Sequence, residues 1–359
     1  MPGAVFGGPR PSPGMRRIMA TILDVSKAAG VSVATVSRVL NGKGQVSPAT
    51  AERVRAAVEA LSYAPNVSAR NLRLNESRII LIVAPNITNP YYTHIIAGIG
   101  KAAHRMGYSA FLCDTGSDRA ETKRVLDMLV RRQADGAILL ATERASGWLQ
   151  PYAEKFALVQ SSEFDPMLPL PRVSIDNYAA AREAMAHLIW LGHERIGLVS
   201  SQNQYISTAL RLSGYRDALQ EANLDVREDY IRRGAADYSF KSGFDSARDL
   251  LLMPDRPTAL LCVSDMLALG AIASAREMGL RVPEDVTVVG FDDVEHTTMF
   301  HPHVTTVAQP CTDIGEKAMQ MLEAAISRAP LDREVLLPHR LIVRESSAPP
   351  SKLSACQGR

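Results

Sequence analysis

From Thr21 the apolar positions recur at three- and four-residue spacing. Thr21 with Asp24 reads as a capping box, followed by Ile22, Val25 and Ala29 on one helical face. Gly30 interrupts the pattern. Ser32 is placed to cap a second short helix, with Val36, Val39 and Leu40 along its inner side. Asn41-Gly42-Lys43-Gly44 is a turn cluster. Ser47-Pro48 then supplies an N-cap and a first-turn proline for a third helix striped by Val54, Val58 and Leu61. Three short helices by residue 62 predict a small all-α unit.

Past Glu76 the texture changes to short apolar runs alternating with amphipathic segments. The runs cover 78–85, 108–114, 135–141, 156–160, 172–176, 195–200, 258–265 and 286–293, and helical patterns occupy 178–191, 207–222, 241–252 and 266–278. Strands that are apolar without alternation, each followed by a helix, predict a parallel α/β architecture. Eight such units exceed what one open sheet usually holds, so two lobes are expected. The first nineteen residues carry four Gly, four Pro and three Arg with almost no apolar periodicity, and read as a disordered leader with no signal-peptide core.

Charge sharpens this division. The 359 residues carry a net charge of only +2, yet residues 1–75 hold ten Lys and Arg against Asp24, Glu52 and Glu59. A basic head on a mildly acidic body points to a polyanionic partner for the head. The four cysteines lie far apart with no C-x-x-C, which fits a reducing cytoplasm better than a disulfide framework or a zinc knuckle. No stretch approaches the ~20 apolar residues that a membrane span needs.

Residues 22–42, helix–glycine–helix in a basic unit, have the form of a helix-turn-helix. The second helix is apolar inside, with Val33, Ala34, Ser37 and Arg38 on or near its outer side. Short side chains there let a helix sit deep in the major groove. Arg38 can then pair with a guanine edge, and Val33 or Ala34 can touch thymine methyls. Ser32, Thr35 and Asn41 suit phosphate oxygens. Ile22, at the start of the first helix, joins this set.

This stretch, DVSKAAGVSVATVSRVLNGKGQVSPATAERVRAAVEALSYAPN (24–66), resembles the head of the lactose-repressor and purine-repressor (LacI) family of bacterial regulators. The likeness continues in order through NPYY (89–92), VSIDN (173–177), LGHERIGLV (191–199), RLSGY (211–215), RPTALLCVSDMLALGA (256–271), GLRVPEDVTVVGFDD (279–293) and TTVAQP (305–310). It implies a sequence-specific transcriptional regulator, in the first instance a repressor, that binds double-stranded operator DNA as a homodimer in the bacterial cytoplasm. It also implies an α + α/β fold: a helix-turn-helix head at 20–65, a hinge helix at 66–76, and a two-lobed core at 77–345 like that of periplasmic sugar-binding proteins. A flexible tail is expected over 346–359. Within the hinge, Ala69, Arg70, Leu72 and Arg73 are assigned to DNA. The family places a leucine matching Leu72 between base pairs at the operator centre, entering from the minor groove.

A ligand in such a core sits between the lobes, at the C-terminal ends of the strands. The candidates by position are Tyr91, Tyr92, Asp114, Asp176, Arg211, Tyr238, Asp265 and Asp292. Aromatic faces with a few fixed charges suit a polar ring, whether nucleoside, nucleobase or sugar. The lesser alternatives are that Asp265 caps its helix and that Tyr92 fills the core. The resemblance implies that positions matching Tyr91, Tyr92, Arg211 and Asp265 line the effector cleft. Residues 75–90 and 163–177, with Glu163-Phe164, look like the cytidine repressor branch of the family and imply a nucleoside.

Enzyme readings fail on context. Gly98-Ile99-Gly100-Lys101-Ala102-Ala103 matches G-x-G-x-x-A, but lies too far past its strand to open a helix on a pyrophosphate. No P-loop or nucleophile elbow is present, and no cofactor is expected. His296, His301 and His303 lack ligand spacing and read as loop histidines rather than a metal site. The competing class is a small-molecule (sugar) binding protein with no regulatory role and an incidental basic arm.

Overall fold

The computed structural model describes residues 20–40, 42, 45–63 and 76–351. The expected DNA contacts at Asn41, Ala69, Arg70, Leu72 and Arg73 lie outside these described residues. Two compact units divide between Asn75 and Glu76.

The first unit holds α1 (Ile22–Ala29), α2 (Val33–Leu40) and α3 (Pro48–Ala60). The capping box forms: Asp24 accepts the Thr21 N–H at 2.9 Å while Thr21 Oγ1 accepts the Asp24 N–H. Gly30 ends α1 at φ 64°, a left-handed turn that glycine adopts without strain. Val25, Ala29, Val36, Val54 and Ala57 make the buried core, with Val39, Leu40, Val58 and Tyr63 packed around it. The α3 stripe differs from expectation at one end. Leu61 is 37% exposed, and Ala57, one turn earlier, takes the buried place.

The second unit contains two six-stranded sheets. In spatial order the first comprises strands 334–337, 172–175, 157–163, 136–141, 79–84 and 109–114, and the second 340–342, 305–308, 287–292, 259–262, 196–201 and 231–234. Lobe one holds β1 (Ile79–Ala84), α4 (Pro90–Arg105), β2 (Ser109–Asp114), α5 (Arg119–Val130), β3 (Gly136–Ala141), α6 (Gln150–Ala153), β4 (Ala157–Glu163) and β5 (Arg172–Ile175). Lobe two holds α7 (Asn177–Trp190), β6 (Ile196–Ser201), α8 (Ile206–Glu221), β7 (Ile231–Gly234), α9 (Phe240–Leu251), β8 (Ala259–Cys262), α10 (Asp265–Glu277), β9 (Thr287–Asp292) and β10 (Thr305–Ala308). The chain then returns to lobe one with α11 (Cys311–Ser327) and β11 (Glu334–Leu337), and closes in lobe two with β12 (Arg340–Ile342). Three connections therefore join the lobes. All pairings are parallel except β12 on β10.

The apolar runs become strands buried on both faces, as in β6 and β9. The run at 108–114 is an exception: β2 lies at a sheet edge, with Phe111 and Leu112 about half exposed. Gly98 lies inside α4 and serves packing. A Cβ there would stand 2.2 Å from the Thr312 carbonyl oxygen, and one on Gly315 would stand 2.1 Å from that of Ile95. Lobe two repeats the device, Gly243 meeting Leu267 and Gly270 meeting Phe240 at similar range.

The flexible tail expected from residue 346 is corrected for its first residues. Ser346 is fully buried, donating its N–H to His303 and its hydroxyl to Val288, while His193 Nε2 meets the Ala348 carbonyl at 2.9 Å. No helix among the described residues is long and apolar enough to cross a membrane.

Candidate DNA-reading face and ligand cleft

On the head, burial of Val36 turns the opposite side of α2 outward. Ser32, Ala34 and Arg38 are exposed, while Val33, Thr35 and Ser37 are partly so. Ser32 caps the helix, its Oγ accepting the Thr35 N–H at 3.2 Å, and the two hydroxyls lie 2.9 Å apart. Among the described residues no acidic side chain pairs with Arg38, which leaves its guanidinium for a partner. Ile22 is half-buried and packs on the small core, which ties it to the fold of the head.

In the core, three of the eight expected ligand residues line one opening. Tyr92, Asp114 and Tyr238 border a cleft of about 210 Å³ together with Asn86, Asn89, Tyr205 and Asp237. Asn86 and Asn89 spend their amide oxygens on turn and cap bonds to Thr88 and Tyr91. Tyr205 and Tyr238 stand 6.4 Å apart between ring centres. No basic side chain is among the residues lining this cleft.

Four others are not among its lining residues and belong to a buried polar layer, of which Asp292 and Gln309 border a second opening. Tyr91 shares hydrogen bonds with Ser162 Oγ at 2.9 Å and Gln309 Oε1 at 3.1 Å, and Gln309 Nε2 donates to Asp292 at 2.7 Å. Arg211 packs its guanidinium 3.6 Å from the centre of the Phe291 ring. Its Nε and Nη2 both donate to Asn177 Oδ1, and Nη1 donates to the Val263 carbonyl. Asp265 is wholly buried, accepting the Val294 N–H at 2.9 Å and the Thr306 hydroxyl at 2.6 Å. It does not cap its helix; Ser264 does.

Asp176 departs from expectation. It is exposed and caps α7 through the Ala179 N–H at 2.9 Å, away from the residues lining the cleft. Its neighbour Asn177 turns inward instead and holds Arg211. A helix N-cap must project its oxygen back along the axis, so the strand-end aspartate is consumed by the helix it starts.

Burial dominates the electrostatics of this layer. It pushes the Asp265 carboxyl up to about 6, against the hydrogen bonds from Thr306 and Val294. Asp292 is raised well above the usual carboxylate range by burial, with Arg211 opposing. Glu163, at the end of β4, is likewise raised by burial and opposed by Arg211. The tyrosines Tyr91, Tyr92 and Tyr238 are raised too, so they stay neutral hydrogen-bonding groups.

A model of the bacterial regulatory proteins of the lacI family matches residues 21–66, and one of a periplasmic binding protein-like domain matches residues 185–347. The HTH-type transcriptional repressor CytR of Escherichia coli K12 is 38% identical over 304 residues, spanning 84% of this chain and 89% of that one. The chain belongs to the LacI family. The repressor PurR of Mannheimia succiniciproducens is 34% identical over 333 residues, 91% of this chain and 98% of that one. In the same LacI family, the Lac repressor dimer bound to operator and the anti-inducer ONPF superposes with a TM-score of 0.83 at 28% identity. That match covers 92% of this chain and 99% of that one. This LacI-family chain is thus a DNA-binding transcriptional regulator and not an enzyme. The reading as a binding protein with an incidental basic arm gives way, because the arm itself is the family's DNA-binding unit.

Sequence reasoning missed Tyr205, Asn177, Ser162 and Gln309. Tyr205 and Gln309 sit just beyond β6 and β10, where the strand-end rule could have found them. Asn177 and Ser162 also lie at strand ends, after β5 and near the close of β4, but that rule does not show which way they point.

Proposed function

We propose that the exposed side of α2 reads operator DNA in the major groove, with Arg38 on a guanine, Val33 and Ala34 on thymine methyls, Ser32, Thr35 and Asn41 at phosphates, and Ser37 on the same face. Leu72 with Ala69, Arg70 and Arg73 contributes at the operator centre, a reading that rests on the sequence resemblance. The protein works in the bacterial cytoplasm as a homodimer, in line with the dimeric Lac repressor to which it is similar.

The ligand that governs operator affinity is an uncharged polar ring, and a nucleoside fits best. The carrying observation is the cleft of Tyr92, Tyr205 and Tyr238 with Asp114 and Asp237 and no basic side chain. Aromatic faces pack on a base or sugar ring, and carboxylates accept from hydroxyls. Phosphate groups would meet two acids without a counter-charge, which disfavours nucleotides. The likeness of residues 75–90 and 163–177 to the cytidine repressor branch adds weight to a nucleoside.

Thermal unfolding in the presence of cytidine, adenosine, their 5′-monophosphates and simple hexoses tests this. A nucleoside at 100 times its Kd raises stability by about 2.7 kcal/mol, a clear shift in Tm. A response to nucleotides or hexoses with none to nucleosides would overturn the reading. Operator binding with and without the stabilising compound then shows whether it weakens or strengthens repression.

A further inference from the structure

The tip of lobe two brings together side chains that nothing in the regulatory reading uses. His301 and His303 lie on the segment between β9 and β10, and Glu345 follows β12, more than forty residues later. The two imidazole rings stack at 4.4 Å between centres, inclined by 19°. Glu345 Oε2 meets His301 Nδ1 at 2.7 Å and accepts the His303 N–H at 3.0 Å, while Oε1 lies 3.7 Å from His303 Nδ1. One nitrogen from each ring and a carboxylate oxygen all fall within 4.8 Å of one another.

We propose that His301, His303 and Glu345 form a binding site for a divalent transition-metal ion. Metal–ligand bonds of about 2.0–2.2 Å place two ligands of one tetrahedral ion roughly 3.4 Å apart, so small side-chain rotations convert the cluster into a coordination sphere. The ion would take the place of the direct contact between His301 Nδ1 and Glu345 Oε2. Two imidazoles and one carboxylate select Zn²⁺, Co²⁺, Ni²⁺ or Cu²⁺ over Mg²⁺ and Ca²⁺. A three-residue set leaves at least one coordination position for water or an outside donor.

The backbone beneath is held from both sides. Ser346 donates its N–H to the His303 carbonyl at 3.0 Å, and the Arg276 guanidinium donates to the His301 carbonyl. Arg344 donates to the Val304 carbonyl at 2.9 Å and to Asp293 at 2.5 Å, which occupies its charge. Spacing alone could not show this, since His301 and His303 are two apart and their third partner is distant in sequence.

The test uses the full chain without an affinity tag, titrated with Co²⁺ under visible absorption and with Zn²⁺ by calorimetry. One saturable equivalent per chain is expected, with the absorption of a nitrogen- and oxygen-ligated Co²⁺ ion. His303→Ala and Glu345→Gln should each weaken binding at least tenfold, and His104→Ala, on an exposed face of α4, should leave it unchanged. Glu345→Gln keeps an acceptor for the His303 N–H, so its fold is preserved if the alanine variant fails. Absence of saturable binding, or binding that survives the His301→Ala/His303→Ala double variant, would overturn the proposal.

Discussion

Glu163 in lobe one holds Ser207 in lobe two. Its Oε2 accepts the Ser207 N–H at 3.2 Å, and its Oε1 accepts the Ser207 hydroxyl. The carboxylate thus satisfies the first turn of α8 from across the ligand cleft, a buried contact that only the folded pair of lobes can make. Glu163→Ala leaves that N–H and hydroxyl without an acceptor and should cost about 1–3 kcal/mol in denaturant unfolding. Glu163→Gln retains an acceptor and should cost less. Equal losses would mean that the negative charge, which both variants remove, carries the effect rather than the hydrogen-bond acceptor.

Asp265 gives a pH dependence of defined sign. Its folded pKa, about 6, exceeds the ordinary carboxylate value of 3.8. Between these values the folded chain holds a proton that the unfolded chain has released, so stability falls as pH rises from about 4 to 6 and stays lower above. Asp265→Asn can still accept from Val294 and donate to Thr306. It should shrink the loss of stability between pH 5 and 7.5, measured by chemical denaturation. An unchanged loss would place the titration elsewhere, on Asp292 or Glu163.

The crossing of α4 and α11 predicts opposite outcomes for neighbouring glycines. Gly98→Ala drives a methyl into the Thr312 backbone and should destabilise by about 1–3 kcal/mol or more. Gly100→Ala, with open space around it, should stabilise by roughly 0.5–1 kcal/mol through helix propensity. Thermal unfolding of the two variants distinguishes packing from propensity.

Arg38→Ala should leave the head folded, since the side chain is exposed, and should lose discrimination at one base pair per half-site worth about 1–3 kcal/mol. Binding to operator and scrambled duplexes at several salt concentrations reads this directly. Equal weakening on both duplexes would reassign Arg38 to a phosphate.

Leu72→Ala should keep nonspecific binding yet lose most operator bending, because the wedge that unstacks the central step is gone. A circular-permutation bending assay decides it, and an unchanged bend would refute the wedge.

The long apolar strands and their helices were legible because burial on both faces writes an uninterrupted run, as in β1 and β9. Short edge elements were not. β7 reads Ile-Arg-Arg-Gly, and β11 and β12 span four and three residues, too brief and too exposed to leave a pattern. At the site, the strand-end rule found Tyr92, Asp114 and Tyr238, because topology alone brings those ends together. It could not choose between Asp176 and Asn177, since adjacent residues at a helix start point in different directions. Nor could it join His301 to Glu345, whose meeting depends on β12 lying against β10.

The return of α11 and β11 to lobe one bears on the order in which the protein can be made. Lobe one opens at Ile79, yet the helix that packs on Gly98 ends at Ser327, after the ribosome has released every strand of lobe two but the last. During synthesis the N-terminal lobe therefore waits, with the Ile95 and Ile99 face of α4 bare, while most of its neighbour emerges. A chain interrupted anywhere before Cys311 carries that uncovered face permanently. Truncated products should be captured by chaperones or aggregate, although they contain most of a lobe's sequence.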